Sequence, residues 1–256
     1  MFIRNEKSIK EFIQLYPVTG ILVIINLSLW LLINFLQLPI GQSIYQWGVG
    51  SNFFIEHGQY WRLVTPIFLH GNLMHVLFNS FALVLFGPAL EQMMGKWKFV
   101  AAYLGAGIAG NIATYLLGPA SIMYTHLGAS GSIYGLFGLY LYLIIYRKHL
   151  IDPGSKQIVL VFLLIGVMMT FLRPGINVHA HIFGLIGGFV LGTILLSNAS
   201  PYSPWRNRPH FRHAEENDIG FDPNRWKKKR MDPTTKKRII WGIVILLFLI
   251  AWWNRM

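Results

Sequence analysis

Seven apolar runs divide this 256-residue chain, at roughly 18–37, 74–92, 97–117, 130–147, 157–173, 179–197 and 239–253. No feature constrains its fold more. In hydrocarbon there is no water to satisfy backbone N–H and C=O groups, so a chain crosses a bilayer only as helices or as a closed barrel. Most of the runs reach the ~17–25 residues that a spanning helix needs. The expected fold class is therefore an all-α polytopic membrane protein. Composition agrees, with 54% hydrophobic, 15% aromatic and only 12% charged residues. The last run is short, and Trp252, Trp253 and Arg255 beside it suit the membrane interface. The fourth and sixth runs are rich in Gly, which favours close helix packing over lipid contact.

Orientation follows from the basic residues. Of 22 Lys and Arg, all but Arg62, Arg173 and Arg255 fall on one side of the alternating spans. The positive-inside rule then puts the N-terminus and the 198–238 connection in the cytoplasm. The expected location is a bacterial plasma membrane. The net charge of +12 reads mainly as this topology signal, so no nucleic-acid partner is expected. The basic run Arg225–Arg230, with Lys236, Lys237 and Arg238, reads as a stop signal that could also attract anionic lipid headgroups. Residues 1–16 carry mixed charges and no small-residue cleavage site, so they are expected to be a cytoplasmic tail and not a signal peptide. The expected organisation is that tail, a membrane core over 17–197, a basic linker over 198–238, and a seventh helix with a short exoplasmic tail over 239–256. The 38–73 connection carries Trp47, Phe53, Phe54, Tyr60 and Trp61, and is expected to lie in the interface.

Polar residues interrupt three of the apolar runs: His75 with Asn79, Gly128-Ala129-Ser130-Gly131, and His181. Each opens an even-numbered span, and even-numbered spans enter from the same side, so the three lie at similar depth below the exoplasmic surface. Polar groups in lipid are costly and usually mark function. A serine, an imidazole and a set of donors at one level is the inventory of a serine hydrolase. Ser130 precedes a long helical run, where free N–H groups and the helix dipole favour an oxyanion; a plain N-cap serine fits the same position. Gly184, Gly188 and Gly192 give the His181 helix a smooth face, and Gly131 and Gly135 give the Ser130 helix a matching one. Such faces allow Ser130 Oγ to come within hydrogen-bonding reach of His181. A histidine that merely bonds a neighbouring helix is the competing reading, and His179 is a nearby alternative. Tyr134, one turn after Ser130, could pack on the imidazole. None of the ten acidic residues suits a third catalytic position, so a Ser–His dyad is expected, with the imidazole oriented by packing. His75 and Asn79 share a helix face and could donate to an oxyanion beside the backbone N–H groups of Ser130 and Gly131, or could glue helices together. The chain has no Cys, which excludes thiolate nucleophiles, disulfides and Cys-ligated zinc; no metal or cofactor is expected.

Taken in order, Tyr60-Trp61-Arg62, His70, His75-x-x-x-Asn79, Glu91-x-x-x-Gly95, Gly128-Ala129-Ser130-Gly131, Tyr134 and Ala180-His181-x-x-Gly184-x-x-x-Gly188 resemble the rhomboid family of intramembrane serine proteases, over about residues 17–197. The resemblance implies a six-helix core, here with an additional seventh C-terminal helix. It implies Ser130 as nucleophile, His181 as general base, and an oxyanion site from His75, Asn79 and the Ser130 backbone. Trp61 and Arg62 would be structural, and the substrates would be transmembrane segments of other membrane proteins. Two further readings are a catalytically inactive rhomboid-like client-binding protein and a small transporter. The first would be expected to lack the serine or the histidine; the second needs polar residues along a whole path, and an internal repeat that is not visible here.

Overall fold

The computed structural model describes residues 1–203, apart from Ile3, Asn5, Ala120, Ile122 and Met123, together with Thr234, Lys237, Arg238, Trp241 and Gly242. The seventh apolar run and the basic run Arg225–Arg230 lie outside the described residues, save Trp241 and Gly242 at the start of the former.

Within the first sixteen residues, Ile9–Leu15 forms a short helix, α1, capped by Ser8. The first span is α2, Pro17–Trp30, which continues through one π-helical turn at Leu31–Phe35. The aromatic connection that follows is compact. It holds α3 (Pro39–Gly48), a two-residue strand β1 (Gly50–Ser51), α4 (Asn52–Glu56) and two 3₁₀ turns at Tyr60–Leu63 and Thr65–Phe68. The remaining spans are α5 (Leu73–Met94), α6 (Lys96–Leu117), α7 (Ser130–Tyr146), α8 (Pro153–Leu172) and α9 (Val178–Leu195). A second two-residue strand, β2 (Thr125–His126), pairs antiparallel with β1, so this otherwise helical fold carries one minimal β ladder. That ladder ties the first connection to the segment leading into Ser130.

Local sequence explains the helix starts. Asn72, Asp152 and Asn177 each accept a hydrogen bond from the backbone N–H three residues on, at 2.9, 2.8 and 3.0 Å, opening α5, α8 and α9. The start of α2 is capped from a distance. The buried Glu91 carboxylate near the end of α5 accepts from Val18 N, Thr19 N and Thr19 Oγ1 at 2.7–2.9 Å, where the helix dipole favours negative charge. Gly95, at φ +85°, then ends α5 in a conformation that other residues rarely adopt.

Five of these elements, including α2 with its π turn, are long and apolar enough to cross a membrane. The sixth, α7, is shorter, at 17 residues, and rises only about 25 Å. It is also the centre of the bundle, with 12 of its 17 residues buried. A helix apolar on all sides belongs inside, surrounded by other helices. A hydrocarbon layer is ~30 Å thick, so at least one end of a helix of this length falls short of the layer's surface. Its first residue is Ser130.

Candidate active site

Glycine sets how closely α7 meets its neighbours. A Cβ built on Gly184 of α9 would collide with the Gly131 backbone of α7, and one on Gly188 with that of Gly135. In the other direction, a Cβ on Gly138 of α7 would strike the backbone of Leu185, Gly188 and Phe189. On the other flank, a Cβ on Gly110 of α6 would come 2.6 Å from the Ala180 carbonyl oxygen, and one on Gly131 3.3 Å from the same atom. The peptide that leads into His181 is thus gripped between two glycines. Side-chain freedom is small there, and a larger residue at any of these positions would force the helices apart.

This packing brings together the residues that the sequence singled out. Gly131 lies against Ala180, so their neighbours Ser130 and His181 occupy adjoining positions at the exoplasmic ends expected for α7 and α9. Tyr134 stacks on the His181 ring, with centroids 4.1 Å apart and planes 16° from parallel. His181 is buried. Among the described residues, the Ser130 hydroxyl is not hydrogen-bonded to the imidazole. Catalytic contacts commonly tighten only once substrate is bound.

His75 reaches the same place from α5. Gly128, at φ +130°, turns its bare α-carbon towards the imidazole: a Cβ there would lie 2.7 Å from His75 Nε2 and 3.7 Å from Ser130 Oγ. His75 and the serine therefore flank one glycine. Asn79, buried one turn along α5, donates through Nδ2 to the His75 carbonyl at 3.0 Å. Ser130 and Gly131 are the first two residues of α7, so their N–H groups have no partner in the preceding turn and are available as donors.

The segment before Ser130 is held by the first connection. Gly128 N donates to Pro66 O at 2.9 Å, and Ala129 N to His70 Nε2 at 3.5 Å. Burial, with some repulsion from His75, pushes His70 down to about 3, so it remains neutral and keeps an acceptor for that N–H. Arg62 pins the connection itself, donating to Val49 O at 2.6 Å, Gln46 O at 2.9 Å and Gln59 Oε1 at 2.7 Å. Trp61 Nε1 bonds Trp47 O at 2.9 Å. Both side chains bond within the first connection, mostly to its backbone.

Two contributors carried no assigned role in the sequence reading. His70 was visible only as part of a motif. Thr170, near the end of α8, was not singled out at all, yet its hydroxyl lies 2.8 Å from His181 Nδ1 and 2.7 Å from the Tyr134 hydroxyl. A threonine hydroxyl carries no charge, so in an apolar run it does not stand out as a partner for an imidazole as a carboxylate would. Helical spacing carried the missing signal: the buried residues of α8 are Ser155, Val159, Leu163 and Thr170, a single stripe facing the bundle.

The model of the rhomboid domain matches residues 57–198, more than half of the chain. The chain belongs to the rhomboid family. YdcA of Bacillus subtilis (strain 168), provisionally named a rhomboid protease, is 44% identical over 194 residues, covering 75% of this chain and 94% of YdcA. Rhomboid protease GluP of the same organism is 36% identical over 154 residues, covering 60% of this chain and 30% of GluP. RHOMBOID-like protein 6 of Arabidopsis thaliana, a mitochondrial protein, is 31% identical over 163 residues, covering 63% of this chain and half of that protein. Of these relatives, the chain spans only YdcA nearly end to end. The protein is a multi-pass membrane protein of this rhomboid family.

Proposed function

We propose that this rhomboid is an intramembrane serine endopeptidase that cuts transmembrane segments of other membrane proteins, with Ser130 as nucleophile and His181 as general base. The observation that supports this most is a serine at the first residue of a short central helix, adjoining an imidazole clamped on the helix beside it. His181 Nε2 takes the Ser130 hydroxyl proton as Oγ bonds to the scissile carbonyl carbon. The carbonyl oxygen gains the negative charge and is held by the N–H groups of Ser130 and Gly131 and by donors on His75 and Asn79. The C–N bond then breaks, and the imidazolium gives its proton to the leaving amine. Water activated by the same imidazole releases the acyl group and restores the serine.

The site opens to the exoplasmic face of a bacterial plasma membrane, with the N-terminus in the cytoplasm, because 19 of the 22 basic residues fall on the opposite side. The 225–238 basic run binds anionic headgroups on the cytoplasmic leaflet. A fluorophosphonate probe tests the assignment: it should label purified protein at Ser130, and neither Ser130→Ala nor His181→Ala should be labelled or should cleave a model transmembrane substrate in liposomes. Residues of one catalytic unit act together, so the double variant should be no worse than either single one. Substantial cleavage by Ser130→Ala sinks the reading.

A further inference from the structure

Four groups converge on one buried point between α7, α8 and α9. The Thr170 hydroxyl lies 2.8 Å from His181 Nδ1, 2.7 Å from the Tyr134 hydroxyl and 2.9 Å from the Gly166 carbonyl oxygen. Thr170 is only 3% exposed, so its hydroxyl is bonded to protein groups and not to bulk solvent. Its hydroxyl has one proton to give and two lone pairs. The Gly166 carbonyl can only accept, so it takes that proton, in the back-bond to the preceding turn that helical threonines commonly form. In that arrangement Tyr134 O–H and His181 Nδ1–H both donate to Thr170 Oγ1. Every polar atom at the point is satisfied by this arrangement.

The hydrogen-bond network thereby assigns the tautomer of the imidazole. A neutral histidine with its proton on Nδ1 carries its free lone pair on Nε2, the nitrogen a serine's general base must use. The opposite arrangement, with Thr170 donating to Nδ1, would leave Nε2 protonated and unable to take a proton from Ser130. Two features hold the acceptor still. Threonine is stiff at χ1, and its back-bond to Gly166 fixes one rotamer. Gly166 also leaves room for Tyr134, whose hydroxyl would lie 2.8 Å from a Cβ at that position.

We propose that Thr170 is the positioning residue of this active site: its hydroxyl accepts His181 Nδ1–H, fixes the tautomer and ring orientation, and so holds Nε2 ready for Ser130. A neutral hydroxyl on α8 does here what a carboxylate does in a Ser–His–Asp triad. The inference rests on the Ser130–His181 reading, and the experiment separates the two. Thr170→Val keeps the side-chain shape without the acceptor. It should lower kcat by on the order of 10²-fold with KM within about twofold, because only the orientation of the base is lost. The rate of fluorophosphonate labelling at Ser130 should fall in parallel; the thermal midpoint should drop modestly, because two buried donors lose their acceptor, with the protein still folded at the assay temperature. Thr170→Ser restores the hydroxyl and should recover most of kcat. If Thr170→Val does not fold, Thr170→Ala, which cannot clash, should show the same loss of kcat. Wild-type turnover in Thr170→Val or Thr170→Ala overturns the proposal, as does a Thr170→Ser variant no better than Thr170→Val. Wild-type protein that is never labelled at Ser130 would instead overturn the dyad itself.

Discussion

Asn79 spends one amide N–H on the carbonyl of His75 and retains a second, and His75 lies against the bare α-carbon of Gly128 beside Ser130. At the scale of single residues, this sets apart groups that stabilise charge from groups that hold shape. A donor that meets the oxyanion acts mainly on the transition state. Asn79→Ala should therefore lower kcat by on the order of 10²-fold and leave KM nearly unchanged, and His75→Ala should behave alike. Steady-state kinetics on a transmembrane substrate in proteoliposomes would decide this. An effect confined to KM would make both residues substrate contacts or helix glue. Arg62 and Trp61 contrast with them, since every hydrogen bond they make goes to the first connection, so changing them alters the support of the site and not its chemistry.

The spans differ in how firmly they are held. The glycine contacts of α7 with α6 and α9 leave no room for movement without loss of packing, whereas α8 buries only 22% of its most apolar window, against 50% for α5. Its outward face includes Phe162, Met168 and Met169, and methionine packs adaptably. A transmembrane substrate would reach Ser130 sideways from lipid, and α8 is the least buried span; its displacement breaks the Thr170–His181 contact, which must re-form before the chemical step. Phe81 on α5 and Phe162 on α8 meet with ring centroids 6.4 Å apart, which marks where a clamp would hold the pair together. Replacing both by Cys and bridging them with a short bis-maleimide should cut cleavage of a membrane-embedded substrate by about tenfold or more, because a closed lid forbids substrate entry. Labelling of Ser130 by a small fluorophosphonate should persist. Full proteolysis with the bridge in place would reject α8 as the entry. The chain has no native cysteine, so only the introduced pair reacts.

For the molecule as a whole, the β1–β2 ladder and the loop histidines couple stability to pH. Burial holds His126 down at about 4 and His70 down at about 3. In the unfolded chain each imidazole takes up its proton near pH ~6.5. Between these values the unfolded state binds more protons, so stability falls as pH drops below about 6.5, and is pH-independent on this account above it. Both ring nitrogens of His126 lack a hydrogen-bond partner among the described residues, and its ring lies where a Cβ of Gly50 would be. Thermal unfolding in detergent should show a lower midpoint at pH 5 than at pH 7.5, and His126→Phe should flatten that dependence. An unchanged slope in the variant would mean that other groups carry it.

The sequence by itself determined the first six spans and their order, and it marked the polar residues within them. Hydrocarbon permits few backbone solutions, and a polar residue in an apolar run stands out against it. Ser130, His181, His75 and Asn79 were legible for that reason, and the glycine faces of α7 and α9 were legible from a four-residue spacing. What only the tertiary structure decided was which hydroxyl meets the imidazole and which loop holds the segment before Ser130. Thr170 lies eleven residues before His181, on the preceding helix, and is ordinary in composition; its stripe on α8 gains meaning only once α7 and α9 are packed against it. The Glu91 cap on α2 and the β1–β2 ladder are likewise contacts between segments more than 70 residues apart. Local pattern reports the period and polarity of one element; which atoms of two elements meet is fixed by close packing between them.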